Sequence, residues 1–530
     1  MTGNIIILDG ASFERGGQGP CYTFTSMGKK VSWPMDYGRN LGPGGAWNLF
    51  WRLGFTPKMV NTAPPDEDGV LIISTEGELH PQAAGSVRRW ADSGKPLIMA
   101  GDPSILNLAL RLDIQAQLTT PPHIYTGLAW TGLGQEPQVI APFKWQYADF
   151  SSTAEATCHG VIAQIQGEVE TPALAHLAPQ TSAPAIICCD SAAYLNGNPF
   201  RAFQAWLQCQ ADLRPWLNWR PRLFWLDDYA AWLWRQLTAV LPVLAELPRP
   251  GIPGYEPLSI VLRHDVDSSR DTSYLEEENA RGIKASYAIL DDANAPHWVE
   301  TIARNPQHEN CFHYESSTTN ELTARIRNRF SSRSTTYEPS FSRISPKGIL
   351  AQVRKAHKRG IQSDTIHRHA LFMLYPEHIE ALDVLKKAHP AFLGGNNFFI
   401  GQYLLWGAGW PTAETSHEMG WHSVMTPYWY PFRPVHAGDK GRLLDVWEGS
   451  NVMEYEPHLV ERMLEHKIDE LPQRLITLNY HPFHAHNATF AEGGRLNDYK
   501  LILSMIKQRG GAFLTMREAL QKANAMAKGQ

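Results

Sequence analysis

The chain has 530 residues, too many for one ordinary hydrophobic core, and at roughly 100–200 residues per domain it predicts two or three. Hydrophobic residues make up 43% and charged residues 19%, with 18 Trp, 18 Tyr and 20 Phe, which excludes wholesale disorder. Lys plus Arg is 48 against 53 Asp plus Glu, a net charge of −5, and the absence of a long basic run argues against DNA or RNA as partners.

The stretch Asn4-Ile5-Ile6-Ile7-Leu8-Asp9 has no basic region before it and meets Asp after a few apolar residues. It predicts a first strand rather than a signal peptide, and with it a cytoplasmic location. Apolar runs at Asn4–Leu8, Gly69–Thr75, Lys95–Ala100 and Pro184–Cys189 alternate with helical patterns such as Pro81–Ser93. That order predicts a parallel sheet covered by helices. The first 205 residues resemble, by strand order, the flavodoxin-like layered fold of class I glutamine amidotransferases, in which a nucleophilic Cys follows a central strand. Here the strand Pro96–Ala100 runs into Gly101-Asp102-Pro103-Ser104 with no Cys, so the resemblance implies a non-catalytic domain. The six cysteines (Cys21, Cys158, Cys188, Cys189, Cys209 and Cys311) are scattered without a C-x-x-C pair and read as reduced thiols.

From Phe203 to Trp234 the chain carries Trp206, Trp216, Trp219, Trp225, Trp232 and Trp234, at a spacing that predicts core or inter-domain packing rather than a sugar-stacking surface. Tyr229–Leu247 is the most membrane-like stretch, but Arg235, Pro242 and Glu246 interrupt it, which predicts a buried helix and no membrane span. Leu247-Pro248-Arg249-Pro250-Gly251-Ile252-Pro253-Gly254 cannot continue helix or strand. The expected division is therefore a layered α/β domain over 1–205, a Trp-rich connector over 206–255 and a second domain over 256–530. Of 21 histidines only His80, His123, His159 and His176 precede the join, so chemistry is expected after it.

In the second half, Leu258-Ser259-Ile260-Val261-Leu262 leads into Arg263-His264-Asp265-Val266-Asp267. An apolar run ending in ionisable residues is the pattern of a buried parallel strand whose carboxyl end enters a site, and extended geometry puts Asp265 and Asp267 on one face. A helical pattern over Tyr274–Arg281 and a strand at Ala285–Leu290 follow, and then His308-Glu309-Asn310-Cys311-Phe312-His313-Tyr314-Glu315. This succession is similar to the polysaccharide deacetylase (NodB-homology) superfamily, in its Arg-His-Asp-Val-Asp branch, over about residues 256–525. The resemblance implies a distorted (β/α) barrel with a divalent metal, zinc or its relatives nickel and cobalt, held by one Asp and two His. It assigns Asp265 as base, Asp267 and His313 as metal ligands and His481, in Leu478-Asn479-Tyr480-His481, as acid. The usual His-x-x-x-His pair is missing because Ser317 stands four beyond His313. The second metal histidine then comes from Thr365-Ile366-His367-Arg368-His369, with His369 preferred to His367, or from a rival set using His481, His484 or His486.

The chemistry asks for the same residue types. Two imidazoles and one carboxylate leave coordination positions open, as catalytic metal sites require, and the metal makes water available as a nucleophile near neutral pH. A free carboxylate can take the proton of water, and an opposing histidine can protonate a departing amine. Glu315 is expected to line the pocket or bond a ligand histidine, and Arg433, beside Pro431-Phe432, resembles the superfamily's arginine that orients the catalytic aspartate. Trp406, Trp410, Trp421 and Trp429 suit a sugar-sized ligand.

The expected activity is removal of an N-acyl group, foremost N-acetyl, from an amino sugar during synthesis of a bacterial surface polysaccharide, as in lipopolysaccharide biosynthesis. The alternatives are a carbohydrate-binding homologue without turnover and a hydrolase of another non-peptide C–N bond. A third role is an adaptor whose amino half binds a partner enzyme of the same pathway.

Overall fold

The computed structural model describes residues 4–13, 21–26, 29–34, 41–75, 77–110, 114–119, 126–134, 138–141, 146–151, 156–166, 176–177, 183–207, 226–267, 269–314, 346–368, 377–400, 430–436, 441–452, 455–487 and 493–529. In the first half the strands Lys58–Val60, Asn4–Leu8, Gly69–Thr75, Leu97–Gly101 and Ala192–Leu195 lie side by side in that order, all parallel. The central Gly69–Thr75 is buried along its whole length, which is why it reads as an unbroken apolar run.

Beyond Ala192–Leu195 the sheet turns antiparallel through Pro184–Cys189, Thr157–Gln166, Thr126–Thr131 and Gln138–Ala141. The expected parallel sheet is thus found in the first five strands, while Pro184–Cys189, read from the sequence as one of its strands, is antiparallel. Pro184–Cys189 joins Ala192–Leu195 through only Asp190 and Ser191, with Asp190 in the left-handed region (φ 46°), and so short a connection can join only antiparallel strands. At the end of the strand Leu97–Gly101, Gly101 has φ +99° and a Cβ on it would meet the Thr75 carbonyl oxygen at 1.5 Å. Ser104 then opens a helix, Ser104–Leu110, with no thiol at the turn. Cys158, Cys188, Cys189 and Cys311 form no disulfide among the described residues.

The helix Gly42–Arg52 is buried on every side. Its glycines permit this: a Cβ at Gly45 would come within 1.9 Å of the Phe200 carbonyl oxygen on the neighbouring helix Pro199–Leu207. On another face Trp51 packs on Trp447, ring centroids 5.0 Å apart, and donates from Nε1 to the Pro431 carbonyl at 3.0 Å. The helix Leu226–Val240 shares this packing, so one continuous apolar core runs from Ile5 and Phe50 through Trp232 and Leu237 to Trp447, Leu475 and Leu520. No helix among the described residues is long and apolar enough to cross a membrane.

The second half is a ring of parallel strands. Leu258–Asp265 pairs with Ser286–Leu290, followed by Glu309–Tyr314, Thr365–Arg368, Gly394–Ile400, Trp447–Val452 and Arg474–Tyr480, and the last pairs back with Leu258–Asp265. The short strand Ala512–Leu514 occupies the first part of the edge that Ser286–Leu290 completes. Its chain then enters the helix Met516–Ala527 through a capping box of Thr515 and Glu518. Such a closed parallel sheet puts the carboxyl ends of all its strands at one mouth, where loops can carry a site.

Candidate active site

Four side chains meet at that mouth. Asp265 is the last residue of its strand, and Asp267, two further on, takes a left-handed backbone (φ 41°). His313 comes from the end of Glu309–Tyr314, and His481 directly follows Arg474–Tyr480. His313 Nε2 stands 3.3 Å from Asp267 Oδ1, and His481 Nε2 stands 3.6 Å from Asp267 Oδ2 and 3.8 Å from Asp265 Oδ2. His313 Nδ1 faces the His367 backbone carbonyl at 3.2 Å and lies 3.8 Å from Asp265 Oδ1, which leaves Nε2 directed at Asp267.

Asp265 is held from two sides. Arg263 Nε and Nη2 donate to Oδ1 at 2.7 and 2.6 Å, and Asn479 Nδ2 donates to Oδ2 at 2.9 Å. Burial pushes this carboxyl up, but the charges of Arg263, His313 and His481 and the Asn479 hydrogen bond outweigh it and hold the pKa well below the usual carboxylate range. Asp267, also raised by burial, is brought below its ordinary value by the His313 hydrogen bond and the neighbouring imidazoles. Burial lowers the His481 pKa, against the opposing pull of Asp265 and Asp267.

The arginine on the catalytic candidate is thus Arg263, within the motif itself, and not Arg433. Arg433 lies between the halves: Nε donates to the Leu444 carbonyl at 2.6 Å, its main chain bonds Asn48, and its guanidinium covers the Trp47 ring at 5.3 Å. The alternation of a strand places Arg263 and Asp265 on one face, and register sets Asn479 opposite Arg263. The first relation is legible in the sequence, while the second needs the pairing.

His367 sits in register with His313 and is buried. His484 Nδ1 is hydrogen-bonded to the Tyr455 hydroxyl at 2.6 Å, and that hydroxyl accepts the His481 backbone N–H at 3.0 Å. Burial pushes the His484 pKa down to about 3. His486 Nε2 bonds Ser273 Oγ at 2.9 Å, so of the rival histidines His484 and His486 have other partners, while His481 faces both carboxylates. His369, Glu315, Trp406, Trp410, Trp421 and Trp429 lie outside the described residues, as do Trp216, Trp219 and Trp225. Behind the motif, His264 points the other way. Its Nε2 pairs with Glu278 Oε1 at 2.6 Å, Tyr287 donates to Glu278 Oε2 at 2.7 Å and Tyr499 also bonds Glu278, all of them buried. This network anchors the strand end from the helix Ser273–Arg281 and had no sequence motif to announce it.

A metal fits the donor chemistry. Two ligands on one tetrahedral zinc lie about 3.3 Å apart, given bonds of about 2.0–2.1 Å, and His313 Nε2 and Asp267 Oδ1 have that spacing. No group of three His, Cys, Asp or Glu poised to hold a metal occurs among the described residues.

No protein-family model matches the chain, and no curated protein matches it. Solved structures similar to part of it include polysaccharide and peptidoglycan deacetylases. The peptidoglycan deacetylase of Bacillus subtilis is 11% identical over 52% of this chain and 96% of its own, with a TM-score of 0.26. A polysaccharide deacetylase of Bacillus cereus is 12% identical over 49% of this chain and 91% of its own, with a TM-score of 0.25. An allantoinase is 10% identical over 52% of this chain and 92% of its own, with a TM-score of 0.32.

Proposed function

We propose that the carboxyl half is a metal-dependent hydrolase of a C–N amide, acting on the N-acyl group, foremost N-acetyl, of an amino sugar. The observation that carries this reading is the meeting of Asp265, Asp267, His313 and His481 within 3.3–3.8 Å at the barrel mouth. Asp267 and His313 would hold the metal, with His369 as the expected third ligand. The metal, when bound, polarises the acyl carbonyl and makes water more acidic.

Asp265 is ionised at neutral pH and takes the proton of the attacking water, with Arg263 and Asn479 fixing its carboxylate plane. His481, reaching from the end of the neighbouring parallel strand, delivers a proton through Nε2 to the departing nitrogen. The Tyr455 hydroxyl, through the His481 backbone N–H, fixes where that imidazole starts. The amino half supplies no thiol nucleophile at its strand-end turn and is assigned a structural or recognition role. A biosynthetic intermediate of a bacterial surface polysaccharide is the proposed substrate.

The test is release of acetate from a panel of N-acetylated amino sugars by purified protein, alongside its elemental analysis. Acetate released by wild type and not by Asp265→Asn, with about one zinc, nickel or cobalt per chain, is the expected result. Protein that stays metal-free after dialysis against zinc and releases no acetate would sink the reading.

A further inference from the structure

At the other end of the barrel, where the strands begin, lies a cavity of about 360 Å³, within the range of small-molecule sites. Arg52, at the end of Gly42–Arg52, reaches it fully buried. Its Nε is bonded to the Asp227 carboxylate, and its face is covered by the Tyr430 ring at 4.7 Å. Its Nη1 and Nη2 have no hydrogen-bond partner among the described residues. Two unsatisfied groups of a buried guanidinium are costly, and the pair of them forms the fork that accepts a carboxylate end-on.

The surrounding charge agrees. Arg474, level with Leu258 in the sheet, also lines the cavity and spends its guanidinium on the carbonyls of Leu464 and His466. Four cations, Arg52, Lys467, Arg474 and Arg509, line the cavity against two carboxylates, Asp227 and Glu465, with Glu461 and Asp469 pairing Arg509 and Lys467 from outside it. The cations stand beside an apolar wall of Leu258, Leu464, Ile468 and Leu471. A carbon chain would gain from that wall, whereas water or a strongly hydrated inorganic anion would gain nothing from it.

We infer that this cavity binds a small organic carboxylate, its two oxygens on Arg52 Nη1 and Nη2 and its carbon chain against Leu258, Leu464 and Ile468. The site is separate from the four-residue cluster at the mouth, and its test does not depend on turnover.

Calorimetric titration of the full-length protein with hexanoate, hexanamide and inorganic phosphate reads the proposal. Saturable hexanoate binding is expected, with hexanamide weaker by ~10-fold or more because it loses the charge-assisted fork, and with phosphate weaker than hexanoate. Ile468→Trp fills the cavity without touching the ion pair and should abolish hexanoate binding with the circular dichroism spectrum unchanged. Arg52→Lys should weaken it by ~10-fold or more while leaving one cation in place. Absence of saturable hexanoate binding to wild type, hexanamide binding as tightly as hexanoate, phosphate binding more tightly than hexanoate, or undiminished binding to Ile468→Trp would each overturn the inference.

Discussion

Asp265 holds its charge where both oxygens are already bonded, so it is rigid before substrate arrives, and this rigidity defines the residue-scale predictions. Asp265→Asn keeps the shape and should retain metal and substrate affinity while kcat falls by at least ~10²-fold, the usual worth of proton transfer. Metal content and kcat measured on the same preparation check this. His481→Ala should cost most with poor leaving groups and least with activated anilides, because an acid matters less when the departing nitrogen needs less help. A loss equal for both kinds of substrate would remove His481 from the acid role. Arg263→Met should act mainly on stability: it leaves the buried Asp265 carboxylate without its strongest partner, at a cost of about 3–5 kcal/mol in urea unfolding.

At the scale of elements, the helix Gly42–Arg52 joins the halves, since it touches Pro199–Leu207 on one side and Trp447 on the other. A helix so enclosed needs apolar residues all round and small ones at its closest approaches. Gly45→Ala would drive a methyl into the Phe200 carbonyl, and backbone cannot rotate away as a side chain can. The expected destabilisation is about 1–3 kcal/mol, the range of core overpacking. An unchanged urea midpoint would show that the two helices can separate at little cost.

For the whole molecule, acid sensitivity follows from buried histidines. Burial lowers the pKa of both His308 and His484 in the fold, the latter to about 3. The unfolded chain, with histidine near its ordinary value of about 6.5, then binds more protons than the folded one, so stability falls as pH drops below about 6.5. Each such histidine contributes a slope of up to about 1.4 kcal/mol per pH unit. Asp265, Asp267 and Glu278, with folded pKa values lowered, lose their contribution only as pH falls below about 4, so the decline should steepen there. Urea midpoints from about pH 8 down to about pH 3 measure the curve, and His484→Gln should flatten its upper part. Deleting residues 1–205 should leave a chain that aggregates, because Trp447 would lose the covering Trp47 and Trp51 rings.

Local pattern was enough for the sequence to mark Leu258–Asp265 as a buried strand and to put Asp265 and Asp267 at its exit, because burial on both faces and a period of two are written in adjacent residues. The same period links Arg263 to Asp265. Pro184–Cys189 shows the limit: an apolar run reads alike in parallel and antiparallel sheets, and only the two-residue turn at Asp190 decided its direction. Arg433 and the arginine role in the site were separated by tertiary structure alone, since Arg433 is drawn to Asn48 and Trp47 from more than 380 positions away. Asn479 on Asp265, the Glu278 network behind His264 and the Arg52 cavity likewise join residues from distant strands and helices. Such partners are set by register and packing, and neither quantity has a local trace in the chain.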